Sequence, residues 1–316
     1  MNKNQASVII PLKQRWEELF KKYKKQKWLL LALLPGIIYY LVFHYAPMYG
    51  VIIAFKNFNF NAGILGSKWV GLENFEMFLN SPDFLSVMKN TLTISIMNLI
   101  IGFPAPILLA IMLNEVTNVK YKKVVQTVSY LPHFLSWVIL AGLFSELLSP
   151  SRGVVNYLLM KCGLEPVGFL TSNKWFRWVL VLTSSWKEVG WSSIVYLAAV
   201  TNIDPNLYEA AYVDGASKIK QIFHITIPSL IPTITIMLIF AVGKIINDNF
   251  DQIYNLYTPV VYPTGDVIST YVYRMGIEKM EYSLASAVGL FKNVISLILV
   301  ISTNAIANRL GEYGLW

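Results

Sequence analysis

Four polar side chains stand at helical spacing inside an apolar stretch: Lys244, Asn247, Asp248 and Asp251, at i, i+3, i+4 and i+7. One helix would place all four on a single face. Trp186, Lys187, Glu188 and Trp191 interrupt a second apolar stretch, and Lys292, Asn293 and Ser296 interrupt a third. Charged groups in such surroundings are costly and face a cavity or a partner. Carboxamides, carboxylates, ammonium groups and flat indoles together are what holds a polyhydroxylated ring: hydrogen bonds at its rim and an aromatic plane against its apolar side. Trp186, Lys187, Trp191, Lys244, Asn247, Asn249, Asp251 and Asn293 supply these groups, and are the candidates for a wet path between the three stretches. Lys187, Lys244 and Lys292 would also suit a ligand that carries carboxylates. The alternative is a set of interhelical ion pairs, Lys244 with Asp248 for instance, that serves assembly alone.

Catalytic constellations do not accompany these residues. The phosphate loop G-x-x-x-x-G-K-[ST] does not occur; Gly243-Lys244 lacks both the leading glycine and the following hydroxyl residue, so no nucleotide-hydrolysing site of that kind is expected in this chain. There is no G-x-S-x-G nucleophile elbow. His44, His133 and His224 are far apart, and Cys162 is the only cysteine, so neither an internal disulfide nor a cysteine zinc cluster is available. No enzymatic site, metal or bound cofactor is expected.

The elements that position the polar residues follow from composition. The chain of 316 residues is 55% hydrophobic and 14% charged, against about 25% charged in a soluble domain. Its apolar residues cluster into six stretches, roughly 28–50, 89–113, 125–148, 177–200, 230–255 and 284–306, each long enough to cross a bilayer. An all-α, polytopic membrane protein is expected. The net charge of +8 resides in segments between spans, which argues against nucleic acid and for orientation by positive charge. Lys3, Lys13, Arg15, Lys21, Lys22, Lys24, Lys25 and Lys27 precede the first span, and Lys120, Lys122 and Lys123 follow the second. Both termini are therefore expected in the cytoplasm. Residues 1–27 read as a basic segment with Leu12, Trp16, Leu19, Phe20 and Tyr23 at helical spacing, an amphipathic anchor on membrane lipid. The first apolar stretch lacks a small-x-small cleavage site and reads as a retained helix. Residues 28–306 form the spanning domain, and 307–316 a short cytoplasmic tail.

The loop 201–229, cytoplasmic by this count, is too ordered for a plain connector. Asp204-Pro205 is a helix start, with a side-chain acceptor at the N-cap and proline at the first helical position. Gly215 can close that helix in a left-handed conformation. Ser217 can cap a second short helix, 218–224, ended by Pro228. Tyr208, Ala211 and Tyr212 would share a face of the first helix. A compact helical hairpin of this kind reads as a docking element.

Glu209-Ala210-Ala211, three residues, Gly215, nine residues and Ile225-Thr226-Ile227-Pro228 resemble the EAA loop of permeases from binding-protein-dependent ABC importers, with Ile227 where leucine is usual. Leu34-Pro35-Gly36 with Tyr39, and Val70-Gly71-Leu72-Glu73-Asn74-Phe75, are similar to segments of the maltose-type sugar permeases. The C-terminal Gly311-Glu312-Tyr313-Gly314-Leu315-Trp316 resembles the branch that handles polysaccharide fragments. The resemblance implies a type I ABC importer permease fold of six transmembrane helices in a bacterial cell membrane. It implies a second homologous permease chain, two ATPase subunits that bind ATP and Mg, an extracellular solute-binding protein, and a sugar or oligosaccharide substrate. Glu209, Ala210, Ala211, Asp214 and Gly215 would then contact the ATPase.

Three other classes compete. A permease for a non-sugar solute would share the EAA loop but not the sugar-permease segments. A self-sufficient secondary transporter often shows internal repeats, and none is evident between 28–150 and 177–306. A membrane-embedded transferase would need a carboxylate or metal constellation near an interface.

Overall fold

The computed structural model describes residues 25–309. The expected amphipathic segment falls almost wholly outside them, as do residues 310–316. Among the described residues, four helices are long and apolar enough to cross a membrane: α1 (Lys27–Phe55), α2 (Phe84–Glu115), the later Lys218–Gly243, and the last, Tyr282–Arg309. A fifth candidate is a bent pair, α3 (Val119–Phe134) and α4 (Trp137–Leu147), which meet at 106°. The stretch expected as one span over 125–148 is thus two helices. Next comes α5 (Phe176–Thr201), 26 residues long, with the length but not the apolarity of a span because Lys187 and Glu188 stand in its middle. Then follow α6 (Pro205–Val213), α7 (Lys218–Gly243), α8 (Phe250–Leu256), α9 (Ile268–Tyr273) and α10 (Tyr282–Arg309). Two short strands, β1 (Lys56–Asn57) and β2 (Lys68–Trp69), pair antiparallel in an otherwise helical chain.

Several prolines stand within these helices without ending them, and the reason is local. π-turns occupy Leu41–Tyr45, Asn98–Gly102 and Ile222–Thr226. Each lies two residues before a proline: Pro47, Pro104 and Pro228. A proline ring strikes the carbonyl four residues earlier and removes one hydrogen bond. In all three cases that carbonyl, on Phe43, Ile100 or His224, belongs to the widened turn, which opens the backbone where the ring must fit. Pro228 therefore does not stop a short helix at 224. The chain runs on, and α7 is continuous from the cytoplasmic hairpin expected at 201–229 into the apolar span.

The reverse surprise is at the other end of α7. The stretch expected to remain helical to 255 breaks at Gly243. Residues 244–249 form a turn, with the Asn247 amide donating to the Lys244 carbonyl at 2.8 Å, before α8 begins under an Asn249 cap. Gly243 permits a close approach: an added Cβ would lie 2.4 Å from a Val300 methyl. Ser296, about midway along α10, donates to the Gly243 carbonyl at 3.0 Å. The irregular segment therefore lies level with the middle of an apolar span. Non-helical backbone is tolerated at that depth only when buried in protein or lining water.

Buried Ile246, Ile268, Tyr271 and Val288 pack with Phe78 and Val87 in one apolar cluster, and Phe176, Leu180 and Ile253 with Ile94 and Ala141 in another. Between them a polar clasp ties the segment after α8 to α2 and α5. Arg274 donates to both carboxylate oxygens of Asp266, at 2.9 and 2.6 Å, which holds the guanidinium pKa above its ordinary value. Asn90 donates to the Asp266 carbonyl at 3.0 Å, and Arg177 donates to Asn90 Oδ1 at 2.7 Å. Arg274→Ala leaves a nearly buried carboxylate unpaired, a change of about 3–5 kcal/mol. We expect a markedly lower melting temperature in detergent, read by fluorescence-detected size exclusion; an unchanged one would show that the clasp contributes nothing.

Large apolar side chains such as Leu108, Met112, Val138, Leu297 and Ile301 are at least half exposed along the helices. That surface is what lipid or a neighbouring span covers.

Candidate functional site

A cavity of about 510 Å³ opens beside the break after α7. The break itself contributes Lys244, Asn247, Asp248 and Asn249. Helix α5 contributes Ser184, Ser185, Glu188, Trp191 and Ser192, spaced so that one helical face supplies them all. Ser95 and Asn98 of α2, Tyr196 of α5 and Gln252 of α8 complete the polar lining. A second cavity of about 600 Å³ lies between the break, α9 and α10, lined by Asn247, Ser269, Tyr273, Lys292 and Asn293 among others. Asn247 lines both.

The structure thus sorts the residues singled out by spacing. Trp191, Lys244 and Asn247 meet at the first cavity, and Asn293 borders the second. The helical stripe expected from Lys244 to Asp251 does not exist, because the helix breaks between them; Asp251, in the first turn of α8, lines neither cavity. Trp186 packs edge-on against Phe144, with ring centroids 5.7 Å apart, outside both cavities. Lys187 is buried and turns away: its ammonium donates to the carbonyls of Pro132 and His133, at the end of α3, and lies 5.8 Å from the Trp137 ring. It thereby satisfies the His133 carbonyl at the end of α3 and joins the Leu135 amide on that of Pro132, while Ser136 accepts from the Ile139 amide to start α4.

The expected Lys244–Asp248 pair is also absent. Asp248 faces Lys292 at 3.7 Å instead and accepts from the Ser269 amide at 3.0 Å. Lys292 donates to the Ser269 hydroxyl. His133, set aside in sequence for its isolation, is brought by the α3–α4 bend against two residues that line the cavity, Glu188 and Trp191. Its Nδ1 is 2.9 Å from Glu188 Oε2, and its ring stacks flat on Trp191, with centroids 4.6 Å apart and planes within 2°. Glu188 was legible from its i−3 relation to Trp191; His133 was not, since only the bend brings it there.

The hairpin at 201–229 forms largely as its sequence dictates. Asp204 accepts from the Asn206 amide at 3.0 Å and caps α6. Gly215 has φ +72°, and Ser217 caps the start of α7. Tyr208 turns inward, its hydroxyl 2.8 Å from that of Thr226, and Ala211 is half-buried. Tyr212 does not join them: it is 78% exposed, beside Val213 at 84%. Glu209, Ala210 and Asp214 are exposed as well. Lys218 reaches back to Glu115 at the end of α2, 3.3 Å away.

The chain as a whole is similar to known proteins. Residues 82–312 match the family described as the binding-protein-dependent transport system inner membrane component. The chain belongs to this family. It is a transport permease subunit of ABC importers, a membrane protein and not an enzyme. It is 43% identical over 98% of its length to the polygalacturonan/rhamnogalacturonan transport system permease protein YteP of Bacillus subtilis (strain 168), covering 97% of that protein. It is 42% identical to the protein LplB of the same organism, over 93% of this chain and 92% of that one. Among solved structures, a chain of a bacterial ABC transporter that imports the acidic polysaccharide alginate superposes with a TM-score of 0.85 at 46% identity, over 92% of the permease and 99% of that chain. A chain of a bacterial alginate transporter, in complex with its alginate pentasaccharide-bound periplasmic protein, gives a TM-score of 0.86 at 45% identity, over 94% and 99%.

Proposed function

We propose that this permease is one of two membrane-spanning chains of an ABC importer for acidic oligosaccharides derived from polysaccharides. The observation that carries this reading is the polar cavity at the mid-span break, in a chain 46% identical to an alginate importer subunit over nearly its whole length. Glu188, Ser192, Lys244, Asn247 and Asn249 offer hydrogen bonds to hydroxyl and carboxylate groups, and Trp191, backed by His133, offers a flat ring face.

In this reading the spans number six: α1, α2, the bent α3–α4, α5, α7 and α10. The polar middle of α5 faces the cavity rather than lipid. Both termini are cytoplasmic, on the evidence of positive charge. The hairpin then faces the cytoplasm, and α6 acts as the coupling helix of this chain. Glu209, Ala210, Ala211, Asp214 and Gly215 meet an ATPase subunit that binds ATP and Mg. An exposed helix bearing Leu207, Tyr212 and Val213 on a loop is poorly suited to water and well suited to a groove in a partner. Closure of the ATPase pair pushes α6, and through α7, continuous with the hairpin, shifts the break that lines the cavity. A solute-binding protein delivers the substrate from the other side, and a second homologous permease supplies the other half of the pathway.

Affinity purification of the tagged chain from native membranes in mild detergent tests the assembly. We expect co-purification of an ATPase with a phosphate loop and of a second permease of the same family. Recovery of this chain alone, stable across several detergents, would contradict the proposal and favour a self-sufficient transporter.

A further inference from the structure

Three charged side chains line the first cavity: Glu188, Lys244 and Asp248. The two acids are each held by a cation that does not line it. Glu188 lies 2.9 Å from His133 and 3.9 Å from the Lys187 ammonium. Asp248, its side chain only 1% exposed, lies 3.7 Å from Lys292 and accepts from the Ser269 amide. Lys187 and Lys292 are in turn committed to backbone carbonyls and to a hydroxyl. Lys244 differs from both. It is exposed, and among the described residues no carboxylate lies within ion-pair distance of it. An ammonium at mid-span depth cannot face lipid and must stand in water or against an anion. The Lys187–Glu188 and Lys292–Asp248 pairs leave Lys244 as the charge that sets the sign of the cavity.

We infer that Lys244 is the carboxylate receptor of this permease, the residue that selects uronate-bearing oligosaccharides over neutral ones. The inference rests on the proposed function and sharpens it, since two of the three lysines that might have served are already engaged. The position also favours this role. Lys244 follows the last helical residue of α7, Gly243, so any shift of α7 moves the ammonium directly. A receptor placed there would hold the carboxylate in one state of the cycle and release it in the other.

The test is uptake of a uronate trisaccharide by proteoliposomes containing the full importer and its solute-binding protein, with Lys244→Arg, Lys244→Met and Lys244→Glu compared at equal amounts of assembled complex. A charge-assisted hydrogen bond corresponds to about a ten- to hundredfold change in occupancy. We expect Lys244→Met to lose about tenfold or more in uptake rate, Lys244→Glu to lose more, and Lys244→Arg to stay within a fewfold of wild type. Wild-type rates in Lys244→Met, or equal losses in Lys244→Met and Lys244→Arg, would overturn the assignment, the second by showing a role in shape rather than charge. A wild-type importer that carries neutral oligosaccharides and ignores uronates would bring down the proposed substrate class, and the role of Lys244 with it. Uronate uptake by wild type and by Lys244→Met alike would bring down the role of Lys244 alone.

Discussion

Gly190→Ala will deplete the folded permease from the membrane, although alanine is a better helix former by about 1 kcal/mol. Gly190 lies in the middle of α5, where α3 crosses it. A Cβ there would stand 2.0 Å from the Ser129 carbonyl oxygen and 2.3 Å from its carbon. These are backbone atoms of another helix, and neither can move aside alone. Accommodation would push α3 off α5, costing at least the ~1–3 kcal/mol of an overpacked core. It would also disturb the His133–Glu188 and Lys187 contacts built across the same interface. Size-exclusion of a fluorescent fusion should show a loss of monodisperse protein of about tenfold. Gly142→Ala in α4 is the control: a Cβ there meets nothing within 4 Å, and the profile should match wild type. Equal profiles for the two variants would refute the close crossing.

The second large effect is expected at Gly215, and it should fall on coupling rather than on assembly. Its φ of +72° is strained for any L side chain, yet the space around it is empty. Substitution therefore strains only the turn between α6 and α7. Asn, which visits the left-handed region most readily after glycine, should be mild; Ala should cost about 1 kcal/mol; Val, branched at Cβ, should force the turn open. With Gly215→Val the complex should still assemble and hydrolyse ATP, while uptake per ATP falls by about tenfold or more. Intact transport in Gly215→Val would remove the coupling role from this turn.

How far the sequence led depended on whether each feature was local. The Asp204 cap, the left-handed Gly215 and the Ser217 cap are decided within a few residues, and they stand where their chemistry put them. The polar residues were visible as types, but their grouping was not. Lys244 to Asp251 fit a helical stripe because Gly243-Lys244-Ile245-Ile246 carries no strong breaker; the break arises where Gly243 abuts Val300 and Ser296 engages its carbonyl, contacts some fifty residues distant. Pro228 gave the opposite error, since a π-turn absorbs a ring that should have ended the helix. Lys187 looked like a pathway cation and is a cap on α3. His133 looked isolated and stacks on Trp191, behind the cavity wall. Pro228 apart, where the remedy is local, a tertiary contact between spans overrode a sound local reading.

The most direct measurement of the central claim is accumulation of a radiolabelled uronate oligosaccharide in proteoliposomes that hold this permease with its second permease and ATPase. The solute-binding protein is supplied on the substrate side. The account predicts uptake that requires hydrolysable ATP and the binding protein together, and that discriminates against a neutral oligosaccharide of equal length. Uptake driven by an ion gradient without ATP, or catalysed by this chain alone, would contradict it.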